Sequence, residues 1–399
     1  MFNFYAKLEI RQMQVSTCKR RSLQSKLAGA AGSFSRFRQF LLDPGLLVEV
    51  KMSMFKKFFK NIIHKKDADK EPEPVKEKEK PKPKYYGTVT PHPDFDASKD
   101  ASVLRSAIQS KGVDEDVIVA VLVKRNNEQR QKIKAVYEAS AGKKLEQSLK
   151  SVLRSHLEDV SLALLMLPAH YDAHLLRNAT KGLGTDEDVL VEILATRSNK
   201  QIEQIKSVFK EEYKEELEQV IKDETSGDFT EALLAMLSAK KDEGHSVDLD
   251  LAQKDAKILF EASGHSDKIN VSTFIEILTT RSSPQLKRTF QHYASVSDTS
   301  LPKALELQLK GDIEDCLIDI VKCAWNTPAF FAEKLHNSMK GHGTRDNTLI
   351  RILVSRSEVD LKKIIEEYRA MFGRRLQEDI QQDTKGDYQQ ILLGLCGPH

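Results

Sequence analysis

The 399-residue sequence is poor in cysteine and has no long apolar segment. Its four cysteines, Cys18, Cys316, Cys323 and Cys396, are too few and too scattered for a disulfide framework, which indicates a reducing compartment. No uninterrupted apolar run reaches the roughly 18 residues of a membrane-spanning helix, so we expect nothing to cross a bilayer. Together these absences favour a soluble, cytoplasmic protein.

Motifs of several enzyme and cation-binding classes are also missing. There is no EF-hand loop, no G-K-[ST] phosphate loop, no H-E-x-x-H and no G-x-S-x-G. Gly182-x-Gly184 is not a dinucleotide fingerprint, because Glu187 stands where a third glycine is required. His170 and His174 lie four apart and could bind zinc, but no cysteine is near, and a structural or exposed pair is the favoured interpretation. We expect no enzymatic activity.

Charge is unevenly distributed along the chain. Residues 1–90 hold 20 Lys and Arg against 9 Asp and Glu, whereas residues 91–399 hold 42 against 50. We expect a disordered extension at 1–52, a basic amphipathic helix at 53–66 and a charged, proline-rich linker at 67–90. The apolar face of that helix consists of Phe55, Phe58, Phe59, Ile62 and Ile63. Such a helix suits an anionic membrane, a groove on a partner or the protein's own body.

An internal repeat occupies the rest of the chain. Lys181-Gly182-Leu183-Gly184-Thr185 returns 159 residues later as Lys340-Gly341-His342-Gly343-Thr344. Four apolar runs end in a basic signature at Arg125, Arg197, Arg281 and Arg356, which predicts four repeats at 91–166, 167–238, 249–325 and 326–399. Long alternating β-branched runs are absent, so we predict an all-α fold.

Helical periodicity also predicts the elements within a repeat. In the second repeat the apolar phase indicates five helices, at 175–181, 186–197, 199–211, 212–222 and 229–238. The repeated arginine near the end of the second helix is expected to form a salt bridge within its repeat or to cap carbonyl groups.

The glycine loops have the chemistry of a hard-cation site. Glycines allow a tight turn that aims carbonyl oxygens at one point, and calcium accepts such oxygens when a carboxylate adds charge. Glu224 follows Gly182 by 42 residues, and Asp383 follows Gly341 by the same 42. The sequence therefore predicts a calcium site in the second and the fourth repeat.

These residues resemble the annexin family, over residues 90–399 and with the lipocortin subgroup as the nearest match. The resemblance implies four five-helix repeats in a curved disc with the loops on its convex face. It implies that Ca²⁺ is held by the carbonyls of Thr180, Gly182 and Gly184 with Glu224 bidentate, and that Thr185 belongs to the same site. In the fourth repeat it implies Met339, Gly341 and Gly343 with Asp383.

The other two repeats depart from the pattern. In the first, Ser110 and Val152 replace the leading glycine and the acid, and what remains resembles the family's weaker accessory sites. In the third, Ser266, Lys268 and Gln308 replace glycine, glycine and acid, so we expect no calcium there by this mode. A residual third-repeat site that uses the Ser263 or Ser266 carbonyl with Glu306 is not favoured. The first repeat's accessory residues are Gly112, Val113 and Glu115, together with Lys150, Leu153 and Glu158.

The resemblance implies calcium-dependent binding to anionic phospholipid membranes, with a cytoplasmic protein that becomes peripheral in calcium and with nuclear or extracellular pools left open. Helix 53–66 would bind a partner, such as a small dimeric EF-hand protein, or a second membrane. The alternative is a calcium-independent helical scaffold or interaction platform, including phospholipase inhibition by coverage of the lipid substrate. No nucleic-acid partner is expected.

Overall fold

The computed structural model describes residues 84–182, 184–263, 269–341 and 343–397. The predicted extension 1–52, the predicted helix 53–66 and most of the linker 67–90 lie outside these residues.

The described residues form nineteen α-helices and no strand, as the all-α prediction requires. None of them is long and apolar enough to cross a membrane. In chain order they are α1 Ala97–Gln109, α2 Glu115–Val123, α3 Asn127–Ala141, α4 Leu145–Val152, α5 Ser155–Leu165, α6 Pro168–Ala179, α7 Glu187–Thr196, α8 Asn199–Tyr213, α9 Leu217–Glu224, α10 Gly227–Leu237, α11 Leu249–Ala262, α12 Val271–Thr280, α13 Ser283–Val296, α14 Leu301–Gln308, α15 Asp312–Ser338, α16 Asp346–Arg356, α17 Leu361–Phe372, α18 Leu376–Asp383 and α19 Gly386–Leu395.

Helix α15 is two helices joined at a kink. Asn326 has non-helical backbone angles, φ −158° and ψ 91°, and Pro328 follows it. The Asn326 side chain caps the second segment by accepting a hydrogen bond from the Ala329 amide at 3.2 Å. Proline restricts the residue before it and lacks an amide hydrogen, which explains why the helix breaks here. The third repeat passes into the fourth at this kink. Counted this way, each repeat contributes five helical segments.

Three of the four signature arginines form the expected salt bridge inside their own repeat. In each case the arginine follows the second helix, and its bidentate partner is an aspartate of the first helix, so the pair fastens these two helices together. Arg125 binds Asp100 at 2.5 Å, Arg197 binds Asp172 at 2.7 Å and Arg281 binds Asp255 at 2.8 Å.

The fourth repeat uses a different contact. Phe331 stands 159 residues after Asp172, in the place of the aspartate. Arg356 lies over the Phe331 ring, 4.6 Å from its centre, and forms its ion pair with Asp360 at 2.7 Å. A cation–π contact and a local ion pair therefore replace the bridge between helices.

The repeats close on one another through helix contacts. Helix α2 packs on α19 and α5 packs on α16, which joins the first repeat to the fourth, while α10 packs on α12 and joins the second to the third. The start of the described chain is tied to its end, since the Thr88 hydroxyl lies 2.6 Å from the Leu395 carbonyl oxygen. The amides of Thr88 and Val89 also donate to the Ser357 carbonyl, at 2.7 and 3.0 Å.

A buried ion pair joins the second and fourth repeats. Arg351 of α16 donates two hydrogen bonds to Glu192 of α7, at 3.0 and 2.9 Å, and the two residues are 2% and 0% exposed. Burial alone would raise the pKa of Glu192, but the charge and hydrogen bonds of Arg351 more than offset it and hold that pKa below its usual range. Nearby, Lys334 contacts Asp188 and Asp319 at 3.4 and 3.3 Å.

Removing one member of this pair is expected to destabilise the protein strongly. Arg351→Met leaves the Glu192 charge buried without a partner, which costs about 3–5 kcal/mol of the free energy of unfolding. Urea unfolding followed by circular dichroism measures it.

The control removes a charge from an exposed pair. Lys132→Met breaks the contact between Lys132 and Glu128, whose side chains are 57% and 73% exposed respectively. It should change the urea midpoint little. A double variant, Glu192→Leu with Arg351→Met, should regain most of the loss because no charge remains buried. If the single and double variants are equally unstable, the cause is packing and not the unpaired charge.

Candidate metal centres

In each repeat a loop closed by a backbone hydrogen bond connects the first and second helices. A backbone hydrogen bond closes it in the second repeat, from the Asp186 amide to the Ala179 carbonyl at 2.9 Å. The loop of the third repeat is one residue longer than the other three, and its residues 264–268 lie outside the described chain. The equivalent bonds run from Asp114 to Ala107, from Asn270 to Ala262 and from Arg345 to Ser338.

The glycines of the second and fourth loops adopt a backbone that other residues rarely take. The φ angles are +116° at Gly182, +93° at Gly184, +111° at Gly341 and +92° at Gly343. A Cβ placed on any of the four would meet no atom within 4 Å. Glycine is therefore required here by the backbone conformation and not by lack of space.

The carbonyl oxygens of these loops are available as ligands. Within the described part of the chain, no donor is bonded to the carbonyls of Thr180, Gly182 and Gly184. The same holds for the carbonyls of Met339 and Gly341. Together with the Gly343 carbonyl they form the predicted set of the fourth repeat. A cation can satisfy such oxygens, because a calcium ion takes six to eight oxygen ligands and accepts backbone carbonyls.

The acid of each predicted site ends an eight-residue helix beside the loop. Glu224 is the last residue of α9, and Asp383 is the last of α18. The hydroxyl of Thr185 donates to the Glu224 carbonyl at 3.2 Å. In the fourth repeat Thr344 donates to the Asp383 carboxylate at 2.7 Å, so this threonine fixes the orientation of the acid itself. Loop and acid are therefore brought together in both repeats.

Thr344 contacts the acid of the candidate fourth-repeat site and is missing from the predicted set. It stands in the same motif position as Thr185, which the prediction included. We call the pairing of loop threonine and helix-end acid the threonine clasp, formed by Thr185 with Glu224 and by Thr344 with Asp383.

In the first repeat, hydrogen bonds already occupy part of the predicted set. The Ser110 hydroxyl contacts the Gly112 carbonyl oxygen. Arg154 donates to the Leu153 carbonyl at 2.7 Å. Val152 ends α4 where the other two repeats have their acid.

The remaining first-repeat residues fall into two groups. Val113 and Glu115 lie with Gly112 at the start of α2, whereas Lys150 and Glu158 line a cavity with residues of the second and fourth repeats. The structure therefore divides the predicted accessory residues between two places, the loop before α2 and the surroundings of α4 and α5.

The third repeat lacks the acid at the equivalent place. Gln308 ends α14, the eight-residue helix that corresponds to α9 and α18. Glu306, the acid of the unfavoured residual site, pairs with Lys303 at 3.0 Å. Among the described residues no cluster of three or more His, Cys, Asp or Glu side chains could hold a metal on its own, so a site at these loops depends on carbonyl oxygens.

Comparison with known proteins decides the family. A sequence profile described as Annexin matches four segments of the chain, 99–164, 171–236, 254–320 and 330–395. The chain belongs to the annexin family. Human annexin A1 is 53% identical over 309 residues, which are 77% of this chain and 89% of that protein. Annexin A1 of Cavia cutleri has the same identity over the same shares.

Solved annexin structures share the fold. The annexin III structure has 43% sequence identity to this chain and a TM-score of 0.77. The match covers 79% of this chain and 98% of the annexin III chain. A calcium-bound annexin (Sm)1 is 30% identical, covers 79% and 93%, and has a TM-score of 0.71. Annexins are known as calcium- and phospholipid-binding proteins, so the predicted family, fold and general function agree with these relatives.

The glycine conformation gives a test that does not depend on the metal. Gly184→Ala forces a side chain into positive φ and should lower the free energy of unfolding by about 1 kcal/mol in calcium-free buffer. Gly112 has no positive φ and has open space around it, so Gly112→Ala should leave stability equal or slightly higher. Urea unfolding of both variants measures the difference, and equal effects would contradict the role assigned to the backbone.

Proposed function

We propose that this annexin binds anionic phospholipid membranes in a calcium-dependent way through its second and fourth repeats. The observation that carries the proposal is the threonine clasp, which holds an acidic residue next to a glycine turn with free carbonyl oxygens in both repeats. The threonine bonds the backbone carbonyl of Glu224 in the second repeat and the carboxylate of Asp383 in the fourth. This combination of neutral oxygens and one acid suits a hard divalent cation.

The chain's own atoms would hold the cation. Carbonyl oxygens of Thr180, Gly182 and Gly184 supply neutral ligands, and Glu224 supplies charge; the fourth repeat offers the equivalent set with Asp383. When bound, Ca²⁺ supplies positive charge and coordination positions that a lipid phosphoryl oxygen can complete. Two such sites on one body strengthen the binding by avidity, because the second contact forms within an already tethered molecule.

The first-repeat residues are proposed as weaker accessory sites. Gly112, Val113 and Glu115 would form one, and Lys150, Leu153 and Glu158 the other. The serine contact at Gly112 and the arginine bond at Leu153 compete for carbonyl oxygens that a cation needs. These sites should therefore fill only at higher calcium than the second and fourth repeats.

Removing both acids tests the proposal. The double variant Glu224→Gln and Asp383→Asn keeps the side-chain shapes but removes the two charges, and it should need at least about tenfold more calcium for half-maximal binding. Co-sedimentation with phosphatidylserine vesicles at graded calcium measures this.

A neighbouring acid gives the matched control. Asp223 directly precedes Glu224, is exposed and accepts a hydrogen bond from Gln219 at 2.8 Å, which an asparagine can also accept. Asp223→Asn should bind as the parent does. If the double variant binds as well as the parent, the two sites are not the membrane anchors.

Helix 53–66 is proposed as the regulatory element, from its sequence pattern. It would grip a second membrane or a small dimeric EF-hand protein, while the repeats hold the first membrane. The calcium-independent platform and phospholipase inhibition by substrate coverage remain the alternatives, with no catalytic role for the repeats. The cytoplasm is the proposed location, with movement to membranes in calcium.

Vesicle aggregation tests the helix. Phe58→Asp places a charge on the apolar face and should abolish calcium-dependent vesicle aggregation, measured by turbidity, while co-sedimentation persists. Asn61→Asp adds the same charge on the polar face and should aggregate vesicles nearly as the parent does. Equal aggregation by both variants, and by a chain lacking residues 1–66, would remove the helix from this role.

A further inference from the structure

A cavity of about 140 Å³ lies where the first, second and fourth repeats meet. Its polar lining has three arginines, one from each repeat, and two carboxylates. They are Arg130, Arg197, Arg356, Asp172 and Glu358. Because arginine donates hydrogen bonds and cannot accept them, every guanidinium group of the lining needs acceptors.

Arg130 has a donor without a partner. The side chain is 2% exposed, its Nε donates to the Leu122 carbonyl at 2.9 Å, and its Nη1 lies 3.2 Å from Glu358. Its Nη2 is buried and has no hydrogen-bond partner among the described residues. A buried donor of this kind costs free energy unless something accepts from it.

Arg356 offers a second donor at the same cavity. Its Nε and Nη2 are taken by Asp360, at 2.8 and 2.7 Å, whereas its Nη1 has no partner among the described residues. Arg197 is neutralised by Asp172 and stabilises the wall instead. Burial lowers the pKa of Arg130 to about 10, so the guanidinium stays charged at neutral pH.

The cavity lies far from the proposed calcium loops. Helix α6 begins at the cavity, with Pro168, Tyr171 and Asp172, and ends at the second loop. Helix α16 begins after the fourth loop and ends at the cavity with Arg356. At 1.5 Å per residue, these helices separate the cavity from the loops by about 15 Å. A ligand there is therefore not a lipid held by the loops.

We propose that this cavity binds a small oxyanion of the phosphate type from solution, with Arg130 Nη2 and Arg356 Nη1 as donors. A phosphate offers several acceptor oxygens to these two donors, and guanidinium groups suit phosphate geometry. Water could also accept from Arg130, but a hydrogen bond between a guanidinium and an oxyanion, with both partners charged, is the stronger one. The bound anion would tie the first repeat to the fourth and so stabilise the closed arrangement of the repeats.

Calorimetric titration of the full chain with inorganic phosphate tests the proposal. The buffer is freed of calcium on a chelating resin, because the carboxylates of EDTA would compete, and sodium chloride keeps the ionic strength constant. We expect saturable binding of one phosphate per chain. Arg130→Met should weaken it at least about tenfold, since a charged donor is lost.

A gentler pair of variants keeps the test decisive if Arg130→Met does not fold. Val359 lines the cavity and is 48% exposed, so a charge there should not disturb the core. Val359→Glu should weaken phosphate binding about threefold or more, and Val359→Lys should strengthen it similarly. Val296 is 43% exposed and is not part of the cavity lining, so Val296→Glu should have no effect.

Two further titrations distinguish free phosphate from a lipid headgroup as the ligand. Glycerophosphoserine represents a soluble headgroup, and phosphatidylserine vesicles without calcium represent a membrane. Binding of inorganic phosphate, lost with Val359→Glu, supports the proposal. Three results would overturn it. Binding to vesicles alone would indicate a lipid contact, and phosphate binding unaffected by both Arg130→Met and Val359→Glu would indicate a site elsewhere. The absence of any saturable heat would indicate that water occupies the cavity.

Discussion

One buried ion pair sets how the repeats are arranged. Glu192 and Arg351 lie 159 residues apart, which is also the distance between the two glycine motifs, so they occupy equivalent positions of the second and fourth repeats. The ion pair links two copies of the same helix, α7 and α16, and like residues at that point would repel or leave a charge unpaired. Opposite charges make the contact specific for the second repeat against the fourth. The two glycine loops directly precede the helices that this contact links.

Much of the fold, and the elements that form the two candidate sites, could be predicted because their signals are local or periodic. Positive φ needs glycine, helical faces need apolar residues at fixed spacing, and the acid follows its loop by a constant 42 residues. The threonine was visible in the motif, but its hydrogen bond to Asp383 depends on how α18 packs beside the loop. That geometry is a tertiary property and has no separate sequence signal.

Other features escaped prediction for physical reasons. The third helix of the second repeat is predicted to end at residue 211, whereas α8 continues to Tyr213. Its end is at Lys214, which adopts φ +60° where the first and fourth repeats have Gly142 and Gly373, so no glycine marks the position. The first helix of the second repeat is predicted at 175–181 but begins at Pro168, because its first turns lack a clear apolar periodicity. The arginine cavity draws its lining from three repeats, and residues as distant as Arg130 and Glu358 meet only after folding.

The bond between Thr88 and Leu395 shows that the described repeats form a closed circuit and not an open stack. Open repeat arrays expose an apolar face at each end and need special terminal units to cover it. Here the first repeat covers the fourth through α2 and α19, so each repeat serves as the cap of another. Adding a fifth unit would have to break an existing interface. The architecture therefore limits its own repeat number, in the way that a closed ring limits its subunit count.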